Sequence, residues 1–263
     1  MENIPRKVGL PMVATKKSLL TTALLVCLAV PLVGRAPAAT SLGADEVMAK
    51  VFERDSQREA LSAGYSGNRE YALYNHRMNK RAELLASVVC DADGTKHFQV
   101  VSEEGWAAAN KHVLRKMLES ESETSRPANR PKTRLIPDNY KFRMIRVESL
   151  EGRPSYVIEV IPKRSDKYLF SGRTWVDAAD FAVARAEGQP AKNPSFWTRS
   201  VHFVQQYHKS GNFWFPAETT SVTEALIFDG TDVSIRYFDY SPLSNSARGS
   251  ASPAPTEVKY VQH

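Results

Sequence analysis

Ser155-Tyr156-Val157-Ile158-Glu159-Val160-Ile161 alternates apolar and polar residues with the two-residue period of a β-strand. The pattern returns from Trp197 to Tyr207 and in Val233-Ser234-Ile235-Arg236-Tyr237. Turn formers separate the runs: Glu151-Gly152-Arg153-Pro154, Glu187-Gly188-Gln189-Pro190, Ser210-Gly211-Asn212 and Asp229-Gly230-Thr231. From Tyr140 to Tyr240 strand follows turn with almost no room for a helix, which predicts an antiparallel meander. Such a sheet must cover one face or curl around something apolar.

Upstream, Ala44 to Leu61 has the helical period, with Val47, Val51, Arg54 or Asp55, Arg58 and Leu61 on one side. Asp45 and Glu46 suit the positive end of its dipole, and Gly64 ends it. Tyr65 to His76 and Arg81 to Cys90 read as two strands around a polar turn at Arg77 to Lys80. Asp91-Ala92-Asp93-Gly94 then turns into a third strand, Lys96 to Ser102. Gly105 opens a second helix, Trp106 to about Glu121, on which Trp106, Ala109, Val113, Leu114, Met117 and Leu118 form one apolar stripe. Lys111, Arg115, Lys116 and Glu119 lie outside it. Ser122 to Asp138 reads as an irregular connection whose Arg126, Arg130, Lys132 and Arg134 are a solvated charge cluster.

The two ends read differently from the middle. Arg6, Lys7, Lys16 and Lys17 precede an apolar run from Leu19 to Val33, and Ala36-Pro37-Ala38 offers small residues for cleavage. That order predicts a secretory signal peptide over residues 1–38, with an apolar run short for a membrane span. Cys27 does not mark lipidation, because Val26 stands where an acylation signal wants Gly, Ala or Ser, and the apolar run continues past it. Residues 1–38 hold five of the 35 Lys/Arg and one of the 29 Asp/Glu, so the remainder carries a charge near +2. No concentrated basic face for nucleic acid is left. Cys90 has no cysteine to pair with after cleavage and reads as a small buried hydrophobe. After Tyr240 the composition turns to Ser, Pro, Ala and Arg, which predicts a disordered tail over residues 244–263 behind a domain of residues 39–243.

Several blocks together resemble the LolA/LolB-like family of bacterial outer-membrane lipoprotein-sorting proteins. They are Asn139-Tyr140-Lys141-Phe142, Gly152 to Lys163, Gly172-Arg173-Thr174-Trp175-Val176-Asp177, Asp180 to Gly188, Phe213-Trp214-Phe215-Pro216 and Tyr237-Phe238-Asp239-Tyr240. Gly64-Tyr65, Arg69-Glu70-Tyr71 and the Trp106 helix sit where that family places its first strands and lid helix. The resemblance spans residues 45–240 and implies an α+β fold: a strongly curved antiparallel sheet, an unclosed half-barrel, with helices covering its concave face over an apolar cavity. It implies binding of lipoprotein or lipid acyl chains, with a periplasmic carrier as the first reading. A lipid-sensing regulatory module acting on an envelope membrane-protein partner is the alternative. No nucleic acid, no cofactor and a monomer are expected.

Chemistry is sparse. His202 and His208 are six apart on one strand, about 20 Å, too far for one metal ion. Gly64-Tyr65-Ser66-Gly67 is one residue short of a nucleophile elbow and leads into a strand rather than out of one. Asp177 and Asp180 flank a turn, where capping is the expected use of a carboxylate. A non-enzyme is expected. The aromatics say more, since Phe196, Trp197, Phe203 and Tyr207 in one strand and Phe213, Trp214 and Phe215 in the next make both faces apolar. Trp106, Val113, Leu114, Met117, Trp175, Phe203 and Trp214 are the expected ligand-binding residues, with the Trp106 helix as lid.

Overall fold

A computed structural model describes residues 42–193, 198–225 and 230–243. The expected signal peptide, Phe196, Trp197 and the expected tail lie outside the described residues. Helix α1 (Ala44–Leu61) begins behind Gly43, whose N–H donates to the Glu46 carboxylate while the Val47 N–H takes the Gly43 carbonyl. Strands β1 (Gly64–Asn75), β2 (Lys80–Asp91) and β3 (Lys96–Gly105) follow as two hairpins. A continuous helical segment, α2, spans residues 107–125, built from Ala107–Ala109, a π-helical turn Asn110–Leu114 and Arg115–Ser125. Asn110 is buried at its wide turn and donates from Nδ2 to the Glu104 carbonyl at 2.8 Å, fixing the junction with β3. A short helix α3 (Arg130–Thr133) precedes seven strands. These are β4 (Tyr140–Leu150), β5 (Arg153–Pro162), β6 (Phe170–Asp177), β7 (Ala182–Pro190), β8 (Thr198–Ser210), β9 (Phe213–Ala225) and β10 (Thr231–Pro242).

All ten strands form one antiparallel sheet in the order β3-β2-β1-β10-β9-β8-β7-β6-β5-β4. Every neighbour is consecutive in sequence except β1 and β10, which meet as Tyr71↔Ile235 and Leu73↔Val233. Edges β3 and β4 stay unpaired with one another, so the sheet is not closed, as expected for an unclosed half-barrel. The chain crosses from one edge to the other through α2 and α3.

The helices divide the sheet between them. Residues Ala109, Leu114 and Leu118 of α2, with Trp106, Val113 and Met117 beside them, pack on Tyr71, Leu73, Ala82, Leu84, Ala86, Val233 and Ile235. The stripe read from the sequence is therefore the buried side of α2. Val47, Met48 and Val51 of α1 pack on Ile158 and Val176, flanked by Phe142, Met144, Tyr156 and Val183. Tyr140, Val160 and Leu169 extend that core toward Phe170. Two expectations change. Leu61 is 81% exposed, because the apolar contact of α1 ends at Val51. The connection after Glu121 is not irregular throughout: helix continues to Ser125, whose hydroxyl accepts from the Lys96 N–H at 2.9 Å, and α3 follows.

Candidate functional site

Between the two packed helices lies a bare strip. Among the described residues, none of β8 or β9 belongs to either helix packing. Over this strip is a cavity of about 620 Å³. Gln205 and Tyr207 of β8, Phe213 to Pro216 of β9, Tyr237 of β10 and Tyr65 of β1 give it one wall. Val51, Phe52, Asp55, Arg58 and Glu59 of α1 line it as well, with Asp91, Lys96, Glu121 and Ser125, and with Arg130, Thr133, Arg134, Leu135 and Ile136 from the segment around α3. Cys90, buried as expected, also lines it, and burial raises its thiol pKa.

The strand-side wall is aromatic. Phe215 stacks on Tyr240 with centroids 4.4 Å apart, and Tyr65 meets both edge-on at 5.4 Å. Gly67 is what admits Tyr240, since a Cβ there would lie 3.3 Å from its ring. Tyr207 donates to Gln205 Oε1 at 3.0 Å. Burial raises the phenol pKa of Tyr65, Tyr207 and Tyr237, so all three face the cavity neutral.

The helix-side wall is charged but internally paired. Arg58 meets Asp55 at 2.7 Å and Lys96 meets Glu121 at 2.7 Å. Glu59 receives both Arg130, at 2.5 Å, and Arg134. Arg130 also donates to the Asp93 carbonyl at 2.6 Å, which ties α3 to the β2–β3 turn. Behind this wall Arg69 is 1% exposed, bound to Glu121 and held 4.9 Å from the rings of Phe98 and Tyr237. Burial works to raise the Glu121 carboxyl, but Lys96 and Arg69 outweigh it and lower its pKa to about 2. The wall thus offers dipoles and compensated charges, with no solitary ion among the pairs named.

The expected site residues separate. Trp214 lines the cavity and donates to Asp180 Oδ2 at 3.1 Å. Phe203 turns instead to Phe170, edge-on at 5.4 Å, outside the lining. Trp175 stands on the opposite face of the sheet, because its neighbour Val176 is the one that meets α1. There its Nε1 donates to Glu148 at 2.5 Å and the Arg185 guanidinium covers its ring at 4.9 Å. Trp106, Val113, Leu114 and Met117 belong to the solid core under α2 rather than to a lid over a cavity. Small residues, Ala82 and Ala86 of β2 and Ala109 of α2, share this core with the larger side chains, as close packing of a helix on a sheet requires. Tyr207, Phe213 and Phe215 were visible in the sequence as aromatics on a strand with no dry-face need for them. The α1 and α3 walls were not, because Glu59 and Arg130 are 71 residues apart and nothing local links them.

Asp177 and Asp180 act as turn formers. Asp177 Oδ1 accepts from the N–H groups of Ala179 and Asp180 at 3.0 and 2.8 Å, and its carboxylate binds Arg153. Among the described residues no group of three or more His, Cys, Asp and Glu is placed to hold a metal ion.

No family model matches the chain, and no curated protein matches it. Similar solved structures include a DUF1329 family protein from Desulfovibrio piger, at 14% identity and TM-score 0.41, covering 76% of this chain and 94% of that one. Another is a domain proposed to belong to an outer membrane lipoprotein-sorting protein of Vibrio parahaemolyticus, at 13% identity and TM-score 0.41, covering 75% and 92%. A third is the LolA superfamily protein NE2245 from Nitrosomonas europaea, at 13% identity and TM-score 0.38, covering 78% and 95%.

Proposed function

We propose that this chain is a periplasmic carrier that holds an acyl-bearing amphiphile, a lipid or the lipidated end of a lipoprotein, in the cavity over β8 and β9. One observation carries the reading: an aromatic wall faces a wall of paired charges across about 620 Å³, over a strip that, among the described residues, neither helix covers. That volume lies within the usual range for small-molecule sites. An acyl chain needs no polar recognition, because each buried methylene contributes about 0.8 kcal/mol. The paired charges at the opposite wall suit an attached head or peptide. Export rests on the basic and apolar run before residue 38. Nothing in the walls favours catalysis: Asp55 is committed to Arg58, Glu59 to Arg130, Glu121 to Lys96 and Asp91 to His97.

Titration of the delipidated protein with a fluorescent fatty acid tests this, with Phe215→Asp as the comparison. The parent binds at micromolar concentration and the variant does not, since a charge in an apolar wall repels the chain. If the parent binds no acyl probe, the carrier reading falls, and a protein-binding sensor of the envelope takes its place. Native mass spectrometry of protein recovered from its own periplasm identifies the cargo.

A further inference from the structure

The hairpin that walls the cavity is only half built into the sheet. β8 pairs with β7 over Gln206 to Phe203 alone, opposite Arg185 to Gly188. β9 pairs with β10 only from Thr223 to Glu218. Between those limits the end of β8, the Gly211-Asn212 turn and the start of β9 pair with one another, Tyr207↔Pro216 to Ser210↔Phe213. Among the described residues they pair with no other strand. β10 meanwhile runs on beside β1 as far as Pro242. The sheet is therefore forked on both flanks of the tip formed by residues 207–216. Pro216, which has no N–H to give, stands just beyond the last β9–β10 pair.

A two-stranded ribbon with no flanking strand is marginal in water, so this tip depends on side chains. Lys209 Nζ at 2.6 Å and Trp214 Nε1 at 3.1 Å converge on Asp180 Oδ2 in the β6–β7 turn. Arg153 steadies the same carboxylate at 3.2 Å. On the other flank Phe215 stacks on Tyr240, whose hydroxyl donates across the fork to the Pro216 carbonyl at 3.1 Å. Tyr65 adds an edge-on contact to Phe215 at 5.4 Å, and the Arg153 guanidinium lies 5.7 Å from the Trp214 ring; all of these are side-chain contacts, which release without breaking a backbone ladder.

We infer that the tip of the β8–β9 hairpin, residues 207–216, is the door of the cavity, latched at Asp180 and at Tyr240. The inference rests on the ligand-binding reading and adds to it a route. Outside the fork lies an open groove of about 610 Å³ lined by Ala217, Glu218, Arg236, Tyr237 and Phe238. Tyr237 lines both this groove and the cavity, so the two spaces adjoin at one side chain. Parting the tip from β10 joins them and opens the cavity sideways, through the sheet. A lateral slit suits an elongated chain that slides in along its length.

Hydrogen exchange and stopped-flow binding of a fluorescent fatty acid, on the full chain and on Lys209→Met, test the door. Lys209 is 37% exposed, so its replacement leaves the core intact. Amides of 208–215 are expected to exchange at least about tenfold faster than those of 219–223 in the ladder-paired half of β9. Lys209→Met accelerates that exchange and raises both association and dissociation rates of the probe about threefold or more, leaving Kd within about twofold. Trp214→Phe, which removes the tip's second donor to Asp180, accelerates the same exchange; because its ring lines the cavity it is read by exchange alone. Probe binding with uniform protection along the hairpin overturns the door alone. So does a change of Kd with exchange unaltered. A parent that binds no probe overturns the binding reading, and the door with it.

Discussion

Arg69 heads the fully buried side chains by size, and a buried cation persists only where charge and packing replace its water. Glu121 supplies the charge, and it serves Lys96 as well. Its folded pKa, about 2, lies below the ordinary 4.5. The carboxylate therefore contributes its full stabilisation above about pH 4.5 and loses it as pH falls through about 2. Glu121→Gln should cost about 3–5 kcal/mol at pH 7 by urea unfolding, the loss typical of orphaning a buried partner. The gap between parent and variant should narrow as pH drops from 4.5 toward 2; a gap that stays constant would assign the loss to packing. The filled core and the cavity are separable at this scale too. Leu114→Ala should destabilise by about 2–5 kcal/mol and leave acyl-probe affinity nearly unchanged. Phe215→Ala should weaken the probe more than it lowers the melting temperature. The reverse ranking would place the ligand under α2 after all.

Strand pairs carry their own constraint. Gly172 and Gly188 sit opposite each other on β6 and β7. A Cβ on Gly172 would lie 1.9 Å from the Glu187 carbonyl oxygen, and one on Gly188 would lie 2.2 Å from that of Ser171. Backbone on both sides leaves nothing flexible to yield. Gly172→Ala must therefore part the two strands, with an expected loss of at least about 1–3 kcal/mol, visible as a lower melting temperature. An unchanged melting temperature would show that β6 and β7 absorb the methyl by a local shift. Phe170 of β6 packs beside the Tyr140 core and takes Phe203 of β8 edge-on, outside the cavity lining.

Whole-molecule order comes from interlocking. α1 precedes β1 yet packs on β5 and β6, whereas α2, which follows β3, packs on β1, β2 and β10. The closing pair, β1 with β10, joins residues about 160 apart, as at Tyr71↔Ile235. β5 and β6 thus take their cover from a helix that precedes β1, and β1 meets β10 only after the whole meander, so long-range contacts dominate and folding is expected to be slow. Ile235→Asp buries a charge beneath α2 and removes the closing pair's packing. It should abolish protection everywhere in limited proteolysis. Survival of a protease-resistant fragment spanning 140–225 would show that the later strands form a domain of their own.

Alternation and turn residues fixed most of what is local in this protein. The period-two runs gave the strands, the Trp106 stripe gave the buried side of α2, and Ser210-Gly211-Asn212 gave a hairpin, because each of these is decided by neighbours within a few residues. The aromatics of 207–215 were legible as surplus apolar surface, though not as a wall. Only the tertiary structure decided that the α2 stripe packs in a core while the cavity lies beside α1, since that turns on which strands the two helices cover and which they fail to reach. It alone set Trp175 on the far face, paired Glu59 with Arg130, and stopped the ladders on both sides of residues 207–216. Register and reach between distant segments depend on the packing of the whole sheet, and no local pattern of side chains encodes them.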